Sequence, residues 1–315
     1  MQKFTSVNDV TDINQLVREA LELKDKPYSL NHIGKNKTLG LLFLNSSLRT
    51  RLSTQKAAMN LGMSVMVINM DKEGWALETE EGVIMNGSNV EHIKEAAAVI
   101  GQYCDIIGIR SFPKLLNKEE DYSETILNSF IKYSKVPVIS LECATLHPLQ
   151  SLADLITIQE WKSDKLKPKV VLTWAPHIKA LPQAVPNSFS EWMCKADVDF
   201  TITHPKGYEL CEDYTKGAKI EYNQQKALER ADFIYVKNWS SYSDYGKVFH
   251  DGKDWMLNSE RLGSNSSKLM HCLPVRRGVE LADELLDGTN ALHIQQAGNR
   301  VYAVQAVLKR MLLNN

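Results

Sequence analysis

Phe43-Leu44-Asn45-Ser46-Ser47-Leu48-Arg49-Thr50-Arg51 carries the chain from an apolar run into a segment of helical periodicity, and its reading decides the fold. Thr38–Leu44 is apolar on both faces, as a parallel strand covered by helices on each side must be. Thr50–Leu61 then reads as a helix. A strand–turn–helix junction of this kind offers free backbone N–H groups and a partial positive charge at the helix start, which bind phosphate readily. Ser46, Ser47 and Thr50 add hydroxyls, and Arg49 and Arg51 add guanidinium groups suited to bidentate recognition of phosphate oxygens. On these residues alone, a serine-capped helix with solvated arginines is the plain alternative. The segment contains neither G-x-x-x-x-G-K-[ST] nor G-x-G-x-x-G, so a small phosphate compound fits it better than a nucleotide.

The same alternation continues along the chain. Further strands are expected at Ser64–Asn69, Ile106–Arg110, Pro137–Glu142, Lys169–Trp174, Val198–His204, Asp232–Lys237, Leu269–Leu273 and Ala291–Ile294. Helices are expected at Val90–Tyr103, Leu149–Trp161, Ser188–Ala196 and Ala297–Leu313. The pattern predicts an α/β protein with two doubly wound parallel-sheet domains and the active-site cleft between them, at the carboxyl ends of the strands. The boundary is placed at His147-Pro148, giving domains 1–148 and 149–315, with the last helix (about 297–313) returning to the first domain. Polar Ser240–Lys268 reads as a surface excursion.

The length of 315 residues suffices for two cores of ordinary size. A net charge of −1 supplies no global field for nucleic acid or an anionic membrane, so an anionic ligand must be held by a local cluster. The amino terminus has no apolar core of a signal peptide, and the strongest apolar stretch, Leu39–Leu44, is far below the ~20 residues that span a bilayer. Cys104, Cys143, Cys194, Cys211 and Cys272 are scattered without a C-x-x-C pair, which points to reduced thiols and a cytoplasmic location. His271-Cys272 is no metal pair: adjacent strand residues face opposite sides, and further ligands are lacking nearby.

Four later segments carry chemistry. Arg110 ends a strand and His147-Pro148-Leu149-Gln150 starts a helix, both at the carboxyl edge of the first sheet. An arginine, a histidine and a glutamine can together polarise a carbonyl and bind an adjacent NH2. His271-Cys272-Leu273-Pro274-Val275-Arg276-Arg277 ends a strand of the second half, and Ala297-Gly298-Asn299-Arg300 is expected to open the last helix. Taken one at a time, Arg110 reads as a surface ion pair and His147 as a cap or core histidine.

In order and together, these segments resemble the aspartate/ornithine carbamoyltransferase family over nearly the whole chain. Ser47-Leu48-Arg49-Thr50-Arg51 is similar to its S-T-R-T-R motif, with Leu48 in place of threonine. His147–Gln150 resembles H-P-x-Q, His271–Pro274 resembles the H-C-L-P of the ornithine branch, and Ala297–Arg300 resembles E-x-E-N-R without its carboxylates. The D-x-x-x-S-M-G loop that holds free ornithine is missing. Trp174-Ala175-Pro176-His177 and the proline-rich Leu181–Ser188 resemble the N-acylornithine branch instead; an acylated amine has no charge and needs no aspartate. In that branch Trp75 reaches into a neighbouring subunit's site, while Glu142, His177, Lys237 and Arg276 serve the acceptor. The acyl group is read near Asn86-Gly87-Ser88-Asn89-Val90-Glu91-His92, where acetyl-using members carry a glutamate and succinyl-using members a proline. Val90 takes that position and leaves room for a succinyl carboxylate that a glutamate would repel. N-acetylornithine is the alternative acceptor.

The resemblance implies a carbamoyltransferase without metal or cofactor, in arginine biosynthesis, assembled as a homotrimer with shared sites. Ser47, Leu48, Arg49, Thr50, Trp75, Arg110, His147, Gln150, Cys272, Leu273 and Arg300 would bind carbamoyl phosphate. Arg110, His147 and Cys272 would be catalytic, and Val90, Glu142, His177, Lys237 and Arg276 would bind acylornithine. A nicotinamide-dependent oxidoreductase would suit the architecture but lacks the glycine fingerprint. A non-catalytic paralogue would be expected to have lost Arg49, Arg110, His147 and Arg276, which all remain.

Overall fold

The computed structural model describes residues 1–70, 72–164, 167–249 and 252–313. In chain order the strands are β1 (Lys3–Phe4), β2 (Thr38–Phe43), β3 (Ser64–Asn69), β4 (Leu77–Glu78), β5 (Glu91–His92), β6 (Ile106–Arg110), β7 (Val138–Glu142), β8 (Lys169–Trp174), β9 (Asp199–Thr203), β10 (Lys219–Glu221), β11 (Phe233–Lys237) and β12 (Lys268–Met270). One five-stranded sheet has the order β1-β7-β6-β2-β3 and the other β10-β9-β8-β11-β12. Every pairing in both is parallel, and β6, β7 and β11 are buried at every residue, which is why each reads as a mostly apolar run closed by one charged residue.

The chain divides into two compact units, one of Met1–Lys114, Glu119–Leu149 and the chain from Arg300 onward, the other of Leu115–Lys118 and Gln150–Asn299. Each holds one of the large sheets. In both sheets the strand order reverses beside the first long strand: β2 lies between β3 and β6, and β8 between β9 and β11. Loops leaving neighbouring strands in opposite directions open a crevice at such a point. The Asn45–Leu48 loop lies at the first, and Ala175-Pro176-His177 at the second.

Several expectations need correction. Ala291–Ile294 is not a strand: Ala291 makes a single bridge to Leu269, and the last helix begins at His293. A short apolar run cannot be assigned to strand or helix by periodicity alone. As a result Ala297–Arg300 lies inside that helix and does not open it. The helix expected from Val90 begins at Ile93, because Glu91 and His92 pair with Leu77 and Glu78 and the His92 side chain caps Lys94 N. The helix expected at Ser188–Ala196 runs Ala184–Met193, with Pro186 in the first turn, where a missing N–H breaks no bond. Ser240–Lys268 is less superficial than its composition suggests, since Ser240 and Ser241 are fully buried. The edge strands β1 and β10 were not among the expected strands.

Candidate active site

The Arg49–Asn60 helix starts from Leu48, whose side chain is 67% exposed and makes no capping bond. The serine-capped alternative therefore does not hold. A start without a side-chain cap keeps its first N–H groups available to an anion. Ser47 and Arg49 are half-buried at this turn, and Thr50 is buried.

Arg110, at the end of β6, is no surface arginine; it is 8% exposed. Its Nη1 donates to the carbonyl oxygens of Asn45 and Ser46 at 3.3 and 3.0 Å, which fixes it to the phosphate-type loop. Its Nε and Nη2 donate to Glu142 Oε2 at 3.1 and 2.9 Å. Glu142 reaches it because the β6–β7 register shifts between Ile109 and Arg110, a local irregularity that re-aims the strand end. Glu142, expected to touch the acceptor, is thus first the counter-ion that makes a buried guanidinium tolerable. His147 Nε2 lies 3.9 Å from the same carboxylate oxygen. Burial, and then the charges of Arg300 and Arg110, hold the His147 imidazole well below its ordinary range, so it is neutral at pH 7. Among the described residues its buried Nδ1 has no hydrogen-bond partner. Arg300 Nη2 donates to Thr50 Oγ1 at 2.8 Å. An oxygen that accepts from Arg300 has its own hydrogen directed elsewhere, so the Thr50 hydroxyl is arranged as a donor. Thr50, Arg110, His147 and Arg300 thus gather in one unit, from segments up to 250 residues apart.

The β4–β5 ladder brings two separately expected residues together. Val90 N donates to Ala76 O at 3.4 Å, beside Trp75, and Trp75 Nε1 donates to Glu91 Oε2 at 2.9 Å. Trp75 and Val90 are 53% and 67% exposed on this strap.

In the other unit, Ala175 N donates to Lys237 O at 3.1 Å, joining the loops at the second reversal. Arg276 Nε donates to His177 Nε2 at 3.1 Å, so two expected acceptor residues are neighbours. Lys237, 8% exposed, acts electrostatically on His271 and Glu280. His271 Nδ1 accepts from Leu273 N at 2.9 Å and Nε2 faces Glu280 Oε1 at 3.4 Å. The pairing identifies the tautomer with hydrogen on Nε2. Burial holds His271 below its usual range, so this neutral form persists at pH 7. Glu280 Oε2 also accepts from Arg276 N at 2.8 Å. Leu273 follows with a left-handed φ of 56°. Gln150 Nε2 donates to Asp154 Oδ1 at 2.7 Å.

Glu280, Asp154 and Gln296 were missed by sequence reasoning. The available signal was weak: Glu280 stands four residues after Arg276, and Asp154 one helical turn after Gln150.

Two parallel-sheet units, each with polar groups gathered at a strand-order reversal, make this a doubly wound two-domain α/β protein. The chain belongs to the aspartate/ornithine carbamoyltransferase family: residues 2–160 match its carbamoyl-P binding domain and residues 182–311 its Asp/Orn binding domain. It is 51% identical over 315 residues to the N-succinylornithine carbamoyltransferase of Bacteroides thetaiotaomicron, covering 99% of each chain. It is 34% identical over 331 residues to the N-acetylornithine carbamoyltransferase of Xylella fastidiosa, covering 98% of each. A crystal structure of an N-acetyl-L-ornithine transcarbamylase variant superimposes with a TM-score of 0.92 at 32% identity, covering 99% of this chain and 100% of the other. In that variant one glutamate is replaced by valine, and the protein is complexed with carbamyl phosphate and N-succinyl-L-norvaline. Replacement of the same glutamate by alanine, proline or serine gives complexes with the same two compounds.

Proposed function

We propose that this chain transfers the carbamoyl group of carbamoyl phosphate to the δ-amine of N-succinylornithine, giving N-succinylcitrulline and phosphate in arginine biosynthesis. The observation that carries this reading is the cluster of Thr50, Arg110, His147 and Arg300 beside a helix start whose cap residue, Leu48, makes no capping bond. Ser47, Leu48, Arg49, Thr50 and the helix N–H groups take the phosphate, with Arg110. The Thr50 hydroxyl, Arg110, neutral His147 and Arg300 aim donors at the carbamoyl oxygen, where charge develops in the tetrahedral intermediate. Gln150 binds the carbamoyl NH2, and the carbonyls of Cys272 and Leu273 orient the amine. The δ-nitrogen attacks the carbamoyl carbon, the carbon–oxygen bond to phosphate breaks, and the amine proton leaves on phosphate. Nothing is oxidised or reduced, and no side chain forms a covalent bond.

Arg276, with His177 beside it, is assigned to the acceptor's α-carboxylate, and Lys237 to its polar end. Glu142 reaches the acceptor only through its remaining oxygen, Oε1. Val90 is assigned to the succinyl end: a valine beside Trp75 adds no negative charge there, while Glu91 is occupied with the indole. In this reading residues 1–148 serve carbamoyl phosphate and 149–315 the acylornithine, the last helix apart. The protein is a cytoplasmic homotrimer, with Trp75 reaching a neighbour's site. Among the described residues no helix is long and apolar enough to cross a membrane.

Steady-state assays with carbamoyl phosphate and ornithine, N-acetylornithine, N-succinylornithine or aspartate test the reading. The highest kcat/KM is expected for N-succinylornithine; a higher value for N-acetylornithine overturns the acyl assignment. Mixing Trp75→Ala with Arg110→Ala subunits is expected to restore part of the lost activity, because some interfaces then carry both intact residues. No recovery after proven exchange overturns the shared site.

A further inference from the structure

Gln150 and Asp154 sit one turn apart on the Pro148–Trp161 helix, the spacing that places two side chains on one face. Asp154 and Gln296 are fully buried, and Gln150 is 1% exposed. Both glutamines donate to the same carboxylate oxygen: Gln150 Nε2 and Gln296 Nε2 each lie 2.7 Å from Asp154 Oδ1. Gln296 Oε1 in turn accepts from His271 N at 2.9 Å. A carboxylate in a protein interior is costly unless it is well bonded, and an apolar residue at this position would avoid that cost. Its chemistry offers a reason for its place. The nitrogen and oxygen ends of a glutamine amide are nearly equal in shape, so packing alone selects neither orientation. A carboxylate accepts and never donates, so it admits only the nitrogen end.

We infer that Asp154 is a positioning residue for this reaction: it turns the Gln150 amide nitrogen to itself, so that Gln150 presents its carbonyl oxygen to the carbamoyl NH2. This rests on the carbamoyl transfer proposed above. A flipped Gln150 would set two NH2 groups against each other and would not distinguish carbamoyl phosphate from a phosphate compound lacking that NH2. Gln296 links the same carboxylate to His271, next to the Cys272 and Leu273 carbonyls assigned to the amine. One buried oxygen thereby anchors the groups assigned to the nitrogen-bearing ends of both substrates.

Asp154→Leu, which keeps roughly the shape and removes the acceptor, provides the test. Dissociation constants are measured for carbamoyl phosphate, for acetyl phosphate, in which a methyl replaces NH2, and for inorganic phosphate. The substitution is expected to narrow the preference for carbamoyl over acetyl phosphate by about fivefold, the worth of one neutral hydrogen bond, with phosphate binding unchanged. Gln150→Ala should narrow it likewise, and the double variant no further. If Asp154→Leu fails to fold, Asp154→Ala carries the same expectations. A preference that Gln150→Ala abolishes and the Asp154 variant leaves intact overturns the inference alone. A wild-type enzyme without carbamoyl transfer overturns the functional reading and the inference with it.

Discussion

The Arg110 cluster and the Trp75–Val90 strap belong to the same unit and are built in opposite ways. Arg110 is held by two backbone carbonyls and a carboxylate, with 8% of its surface exposed. Val90 is 67% exposed and tied by one backbone bond to Ala76. Stabilising a developing oxyanion requires donors fixed before the reaction in a poorly solvated site, so that geometry is over-determined. Choosing an acceptor tail requires only that the wrong charge be kept away, which an exposed loop can do and exchange without disturbing a core. Substitutions in the first region should therefore cost stability and turnover together, and those in the second should move selectivity alone.

Arg110→Met should show the largest effect. It leaves Glu142 as an unpaired buried charge, which costs about 3–5 kcal/mol in stability. Turnover should be lost with it. Adding Glu142→Gln should return most of the stability and none of the activity, as read by urea unfolding and steady-state kinetics. Arg49→Ala separates the two quantities. Arg49 is half-buried at the helix start, so kcat/KM for carbamoyl phosphate should fall by about 1.5–3 kcal/mol, one charge-assisted contact. Its unfolding midpoint should stay near wild type. A folded Arg49→Ala enzyme with normal kinetics removes the residue from the site.

Val90→Glu is the corresponding probe of the strap. A new carboxylate should repel the succinyl carboxylate and leave the acetyl methyl unaffected, moving the ratio of kcat/KM values toward N-acetylornithine by about tenfold, or ~1.4 kcal/mol. Stability should not change, since the position is exposed. An unchanged ratio would show that the acyl end lies elsewhere.

Buried histidines, His147 in the Arg110 cluster and His271 and His204 in the other unit, should also set a response to acid. His147, His271 and His204 are all held below the ordinary histidine range, in each case first by burial. In the unfolded chain they protonate near pH 6.5, so below that pH the unfolded state binds more protons. Their contribution to stability is fully present above about pH 6.5 and is lost as the pH falls toward their folded values, by up to about 1.4 kcal/mol per pH unit for each group. Thermal midpoints from pH 8 to 5.5 should fall below pH 6.5, and less steeply in His147→Gln. An equal slope in that variant would argue against a neutral buried His147.

The same contrast explains what was legible in the sequence. The two doubly wound sheets could be read because β6, β7 and β11 are apolar on both faces, which parallel burial requires. Three of the carbamoyl-type motifs could be read because each follows a strand end, whereas Ala297–Arg300 lies within the last helix. Glu142 as partner of Arg110 was hidden by a register shift, which leaves no trace in composition. Asp154 and Glu280 were hidden because a buried carboxylate within a helix or loop looks, one residue at a time, like a solvated one. Ala291–Ile294 misled because a run of four residues with three apolar members suits a strand and a helix start equally. Trp75 and Val90 stand apart in the sequence, and the two-residue β4–β5 ladder brings them side by side.

Glu91→Gln should have the smallest effect and defines the comparison most finely. The glutamine keeps an oxygen for the Trp75 N–H and removes only the charge, so the strap should hold its shape. Glu91 is only half-buried, on the short strand β5, where solvent and salt screen a single charge strongly. If Val90 faces the acyl end, neutralising its neighbour should change the succinyl-to-acetyl ratio by less than about twofold, a few tenths of a kcal/mol, and still less at high salt. Stability should be unaltered. The Glu91 carboxylate is turned to the Trp75 indole, so Val90→Glu and Glu91→Gln are not expected both to act strongly on one tail. A larger shift from Glu91→Gln than from Val90→Glu, measured as kcat/KM for both acceptors at low and high salt, would move the selectivity position from Val90 to Glu91.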